Sequence, residues 1–433
     1  SLSASAEGGA RVSVELTGNG QVRLTVVKRG SAAGAVRSSL STAIDCGASC
    51  TALFDVGTRV DLLGRTENGS NGFLSAWLGG DCDGPSQRCP VVMNESRTVE
   101  AVFSPIVNNL VFVSADAYPT NLGSVAAYDA ACNAVASAAG LNDVAGNAYF
   151  SGMSSAAQSL RERLLAAPVQ GWVRLDGLPF ATDVDALFDA DRVLYPVRYT
   201  EAGDTRSLSL LMGTDTDGSV AANCNDWTST SPDVIMLGGG STEGPYNWLI
   251  SYAGGCDSAD LHLLCFGRNG TAAPSEPSAV GKAIWLSDEP FAPGVSGDPD
   301  AVCARSAPPG ASGGRALLAT TTRAAASIPD PTSLYVRPDG ALVGTGEQLA
   351  SGVLTSGIWQ LGDGSYIQFD PGFSIWNGAF DRAQPGTVAG TCNDWQSSTG
   401  NGVRGFGTTA SASFWGSNTL DCSIPAYLYC LEP

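Results

Sequence analysis

The residues best suited to chemistry in this chain are its twelve cysteines, which fall into three groups of four. The first group is Cys46, Cys50, Cys82 and Cys89, the second Cys132, Cys224, Cys256 and Cys265, and the third Cys303, Cys392, Cys422 and Cys430. Thiolates bind metal, act as nucleophiles or pair as disulfides. Four-thiolate zinc sites are built from two tight pairs of short spacing. The first group has such pairs, in CGASC and CDGPSQRC, so zinc stays open there. In the second and third groups the first cysteine stands about ninety residues from the next. Disulfides in an oxidising compartment account for all twelve together. That reading leaves no thiol for nucleophilic catalysis.

Other chemistry is sparse. The single histidine, His262, lies between Leu261 and Leu263 and reads as a core or half-buried residue of a strand. One histidine cannot serve a Ser/His/Asp or Cys/His site in each of two copies. Aspartates are plentiful enough for a paired-carboxylate hydrolase, yet the acids read as recurring in the same local context are Asp226 and Asp394. No phosphate-binding loop or dinucleotide fingerprint is present. GTDTDG (213–218) sets Asp215 and Asp217 at alternate positions beside a glycine, a fragment of a calcium loop that lacks the later bidentate Glu. A solvated acidic turn is the expected role, with calcium as the rival and no other cofactor.

Charge narrows the partners. Acids outnumber bases 42 to 23, for a net charge of −19. Such a surface repels phosphate backbones and anionic lipid, which argues against nucleic acid and membrane surfaces as partners. No apolar run has the length of a membrane-spanning helix. The first residues, SLSASAEGG, show no signal-peptide pattern, as expected of a processed secreted chain.

The positioning elements repeat. Cys132 to Cys224 is 92 residues and Cys303 to Cys392 is 89; the following gaps are 32 and 30, then 9 and 8. CNDW stands at both Cys224 and Cys392, VFVS answers IWLS, VRLDG answers VRPDG, LHLLC answers AYLYC, and Trp248 answers Trp415. A period of about 150 residues is too long for a solenoid and marks two copies of one globular domain. GRNGTAAPSEPSAVG between them has linker composition. Within the first copy, 124–140 reads as a helix with Ser124 at its start and Gly140 at its end. A second helix is expected over 155–167, with Ser155 and Gln158 as a capping box and Pro168 as its stop. GWVRLDG, RVLYPVRY and LHLLCFG read as strands. An early helix bearing the first cysteine and a late strand bearing the last predict nested pairing, Cys132–Cys265 around Cys224–Cys256 and Cys303–Cys430 around Cys392–Cys422. Four cysteines allow three connectivities in each group.

Nested cysteines, two helices and long loops before a final cysteine-bearing strand resemble the C-type-lectin-like fold. The closer likeness is to its endostatin-like branch, where a Cys-x-x-Trp occupies the place of CNDW. The run from Asn121 through GWVRLDG to NCNDWTS is similar to an endostatin-like family of secreted bacterial surface proteins. The resemblance implies that loops around the second and third cysteines form a recognition surface. Its candidates are Trp227, Tyr246, Asn247 and Trp248 in the first copy and Trp395, Phe414 and Trp415 in the second. Trp227 and Trp395 are first expected to fill space beside the inner disulfides. Calcium-bridged sugar binding in that fold uses Glu-Pro-Asn or Gln-Pro-Asp followed by Trp-Asn-Asp; here Glu289-Pro290-Phe291 lies elsewhere and the order is Asn-Asp-Trp.

The first hundred residues alternate as strands, RVSVELTGNGQVRLTVV, GTRVDLLGRT and RTVEAVF, and resemble the internalin-B-type bacterial repeat, a small β-grasp-like module that acts as a spacer. Cys46–Cys50 and Cys82–Cys89 fit local loop clips. The expected fold class is α+β, mostly β and loop, with the β module over 1–105, a lectin-like domain over 106–268, a linker over 269–281 and a second lectin-like domain over 282–433. The expected function is non-enzymatic recognition of a glycan or cell-surface protein by a secreted or surface-displayed bacterial adhesin. A self-assembling subunit of a surface fibre or matrix is the alternative, and a secreted hydrolase ranks below both.

Overall fold

The computed structural model describes residues 2–5, 11–14, 20–39, 43–46, 49–66, 72–82, 84–141, 149–368 and 373–433. Residues 15–19, inside the first run read as strand, lie outside them. Strands hold 34% of the described residues and helices 12%, a mostly-β architecture with few helices. It divides into two compact units, Ser1–Pro105 and Ile106–Pro433.

In the first unit, alternating sequences fold as strands with alternate residues inside. Thr58–Thr66 buries Val60, Leu62 and Gly64 and turns its other face outward. Two four-stranded sheets contribute to one core around Trp77, Leu24, Val36, Leu62 and Val91. Cys46 pairs with Cys50 and Cys82 with Cys89, so both tight pairs are disulfides rather than a zinc site. The described residues of this unit form two four-stranded sheets and a separate strand pair, with no helix among them.

The second unit holds one architecture twice. In the first half a five-stranded sheet runs Tyr149–Ser151, Leu264–Gly267, Asn109–Val113, Trp172–Val173, Pro179–Ala181. In the second half the order is Arg315–Ala316, Tyr429–Leu431, Lys282–Leu286, Leu334–Val336, Leu342–Thr345. In both, the central strand is antiparallel to the last strand of the copy and parallel to the third. The registers match: Phe112 faces Cys265, and Trp285 faces Cys430. Central strands buried on both faces need continuous apolar runs, and LVFV and IWL supply them.

Val125–Ala138 is the long helix of the first copy. It is alanine-rich, a strong helix former, and buries Tyr128, Cys132 and Ala136 at four-residue spacing. Gly140, at φ 74°, ends it in the left-handed conformation that glycine tolerates best. The second helix is shorter than expected, Leu160–Leu165, because the capping box that forms is Ser159 with Glu162. Ser155 and Gln158 instead close a turn on each other. In the second copy Pro299 opens Pro299–Arg305 at a position where a missing N–H costs nothing. Cys132 bonds Cys265 around Cys224–Cys256, and Cys303 bonds Cys430 around Cys392–Cys422.

CNDW forms the same unusual turn in both copies. All four residues have positive φ, between 53° and 64° at Cys224–Trp227 and between 49° and 68° from Cys392 to Trp395. Left-handed backbone costs an L-residue about 1–2 kcal/mol, so the turn must be held. The Trp227 Nε1–H donates to Ser154 O at 2.8 Å and that of Trp395 to Ala319 O at 3.1 Å. Asp226 accepts from the Ala156 N–H and Asp394 from the Thr321 N–H. Disulfide, buried indole and carboxylate thus each tie the turn to another loop.

Candidate functional site

The two copies meet along a seam, and its geometry begins with the repeated Val-Arg-x-Asp-Gly. Arg174 and Arg337 follow equivalent strands and are 0% and 2% exposed. Each grips the aspartate two residues on, Asp176 or Asp339, through Nε and Nη2. Each then crosses the seam. Arg174 Nη1 donates to Pro196 O in its own copy and to Thr355 O in the other, at 3.1 and 3.2 Å. Arg337 donates to Gly357 O in its own copy at 3.2 Å and to Leu194 O in the other at 2.9 Å. Thr200 and Leu361 make the same parallel bridge in the two copies, which makes Leu194 the counterpart of Thr355 and Pro196 that of Gly357. The seam is therefore a pseudo-twofold contact in which each copy gives and receives the same bonds.

This explains why RVLYPVRY is not the strand its composition predicts. Its carbonyls are taken by the two arginines and by the indole N–H of Trp359, which donates to Val193 O at 2.9 Å. Tyr195 Oη accepts from the Leu342 N–H. One apolar core continues across, from Val111 and Trp248 through Trp359 to Tyr429. Further along, residues 242–244 and 408–410 pair antiparallel, with Gly244 N–H donating to Thr408 O and Ala410 N–H to Thr242 O, both at 2.9 Å. The connecting segment is pinned as well, since Glu276 takes two bonds from Arg192 and one from Thr182. The copies are parts of one compact unit rather than independent modules on a flexible tether.

Two concavities open on the seam. The larger, about 850 Å³, has the stacked rings of Phe373 and Tyr427 (centroids 4.8 Å apart) with Ile367 and Tyr366 as its apolar lining. Asp189, Arg192, Gln360, Ser365 and Gln368 supply its polar lining. Its charges are committed: Asp189 to Arg161, Arg192 to Glu276, and Asp339 to Arg337 and the Tyr366 hydroxyl. Burial alone would raise Asp339, but the Arg337 charge and hydrogen bonds outweigh it and hold the carboxyl below its usual range. The Arg161 hydrogen bond does the same for Asp189. Asp191, beside the groove at φ 49°, is the opposite case, pushed by burial up to about 6. The smaller concavity, about 500 Å³, is lined by Tyr246, Asn247, Tyr252, Arg404, Phe406 and Thr408 among others.

The aromatic residues named as candidates are buried, as expected for Trp227 and Trp395 beside the inner disulfides. Trp227, Tyr246, Trp248, Trp395, Phe414 and Trp415 are all under 5% exposed. Trp227 and Trp395 seal the left-handed turns. Trp248 packs edge-on against Phe180 and Phe414 against Tyr429. Trp248, Phe414 and Trp415 belong to the core that continues across the seam, whereas Trp395 packs with Trp376 and Cys392 of its own copy. Asn247 is half-buried and donates to Thr408 Oγ1 across the seam at 2.8 Å. Asp215 and Asp217 each accept from a backbone N–H of their own turn, at Thr216 and Ser219. No group of three or more His, Cys, Asp or Glu able to hold a metal ion occurs among the described residues. His262 is buried with Nδ1 2.9 Å from Ser114 O.

The seam residues carry a sequence signal of their own. Asp176 and Asp339 recur in matching context, as Asp226 and Asp394 do, and the signal was an Arg-x-Asp repeated inside VRLDG and VRPDG. No family model matches the chain, and no curated protein is significantly similar to it. The six disulfides fit an oxidising, extracellular setting, and no described helix is long and apolar enough to cross a membrane.

Proposed function

We propose that this chain is a non-enzymatic recognition protein, a secreted or surface-displayed bacterial adhesin of lectin-like, endostatin-like fold with an internalin-type spacer before it. Its ligand is a glycan or a cell-surface protein, and it seats in the larger seam groove. The observation that carries this reading is the state of that groove: an apolar, aromatic lining and a polar lining whose charged residues, Asp189, Arg192 and Asp339, are each paired with a residue outside it. Such a surface offers shape, ring faces and amide and hydroxyl groups, the usual means of binding. Among the described residues it offers no free acid–base pair or nucleophile of the kind that turnover requires. The doubled nested-disulfide plan and the resemblance in the CNDW region support the fold assignment.

The test is an array of glycans and host-surface proteins probed with the whole chain and with Ser365→Trp, which fills the groove from an exposed rim position. Binding that the substitution removes supports the proposal. Absence of binding, or binding indifferent to the substitution, overturns it. Concentration-dependent polymers in electron micrographs would favour the fibre subunit instead, and release of products from polysaccharide or peptide libraries a hydrolase.

A further inference from the structure

The smaller seam concavity holds a cation, Arg404, that has no counter-charge among the described residues. Arg404 lies in Asn401–Gly405, paired with Trp376 on one side and Asn418 on the other, so its backbone is fixed. Its guanidinium stacks on Phe406, 4.7 Å from the ring centroid. Its Nε is buried with no hydrogen-bond partner. Among the described residues no carboxylate lies within ion-pair reach of it, although the chain has 42 acids. Compare Arg174, Arg337 and Arg163, each buried and each paired with an aspartate. A half-buried cation without a counter-charge is costly, and burial lowers its proton affinity with nothing to offset the loss. Arg198, Arg268 and Arg323 also leave a buried Nε unpartnered, but Arg404 alone of these lines a concavity described above, and perturbed charged groups in clefts cluster at functional sites.

We propose that this concavity is a binding site for a carboxylate carried on a small organic body, with Arg404 as the residue that takes the carboxylate. The guanidinium presents a planar fork of donors that matches two carboxylate oxygens, and stacking on Phe406 holds it in one orientation. Tyr252, Tyr246 and Leu420 supply apolar wall beside it, and a volume of about 500 Å³ suits a body the size of one or two sugar or amino-acid units. Two sources present this chemistry, a uronic acid and the free carboxyl end of a peptide. The assignment deepens the recognition reading and rests on it, but it concerns a different groove.

The experiment follows the arginine Nε–H and backbone signals of the whole chain by NMR during titration with D-glucuronate, N-acetylglycine and neutral methyl glucoside. The expected result is that at least one carboxylate shifts the Arg404 and Phe406 signals at millimolar concentration while the glucoside binds about tenfold or more weakly. The carboxylate that binds tighter identifies the source. Arg404→Gln should bring the charged ligand down to the neutral level, and raised salt should weaken the wild-type interaction. Equal binding of charged and neutral ligands, or no response to either carboxylate, overturns the proposal on the wild-type chain alone, whatever the variant's stability. A chain that binds an array ligand through the Ser365 groove yet ignores carboxylates keeps the recognition reading and loses this one. A chain that binds nothing in either assay loses both.

Discussion

Arg174 and Arg337 are symmetry mates within a single chain, each donating to a backbone carbonyl of the copy it does not belong to, Thr355 and Leu194. Burying two cations at a contact is unfavourable unless every donor is answered. Here a bidentate aspartate and carbonyls on both sides of the seam answer them, and aromatic rings cover the remaining faces: Tyr195 and Tyr199 over Arg174, Trp359 and Tyr366 over Arg337.

Arg337→Met therefore leaves Asp339 buried without its counter-charge. The expected loss is about 3–5 kcal/mol in urea unfolding with disulfides intact. Arg337→Met combined with Asp339→Leu should recover most of it, since the stranded charge is then gone. A double variant no more stable than the single one would contradict this account.

Glu243, on the segment that pairs with 408–410, is pushed by burial up to about 7. The folded chain thus holds a proton there that the unfolded chain, with an ordinary carboxyl near 4.3, has released. The contribution of this group to stability falls as pH rises from about 4.5 to 7 and is flat beyond. Glu243→Gln removes the dependence: it should match wild type near pH 4 and exceed it by about 1–3 kcal/mol at pH 8. Asp191, pushed up to about 6, adds to the wild-type slope in the same window, so the difference between the two unfolding curves is the quantity to measure. A constant difference across pH would refute the assignment.

In the CNDW turn, Asn393 is exposed at φ 56°. Asn393→Gly should be neutral or slightly stabilising, whereas Asn393→Val should cost about 1–2 kcal/mol, because a β-branched residue is poorly tolerated there. Thermal unfolding of the pair separates them. Equal midpoints would mean that the turn is not left-handed in solution.

Removing Cys132–Cys265 by paired alanines opens a loop spanning 133 positions and should cost about 5 kcal/mol, against about 4 for Cys224–Cys256 with its span of 32. Non-reducing peptide mapping checks the pairing itself; any cross-pairing between the outer and inner bridges would break the nested plan.

What could be read beforehand was local or counted along the chain. Cysteine spacing, the Ser124-to-Gly140 helix and the doubling of the domain are carried by residue types at fixed intervals. The seam is different. Arg174 and Arg337 find their cross-copy acceptors on main-chain carbonyls, which every residue possesses and none advertises. For the same reason RVLYPVRY, apolar and β-branched enough for a strand, turned out to be a binding strip for the opposite copy's side chains. That Trp248, Phe414 and Trp415 join the core across the seam is not legible either, because a loop's composition does not tell whether it folds toward solvent or toward a second copy. The capping box forms four residues beyond the expected one because Ser155/Gln158 and Ser159/Glu162 both satisfy its spacing.

A face that matches itself is used up once two copies have met, leaving no open end from which a third could add. Carrying both copies on one polypeptide also makes their mutual concentration indifferent to dilution. At dilutions where a dimer of separate chains would come apart, the concavities along the join persist as permanent features of each molecule.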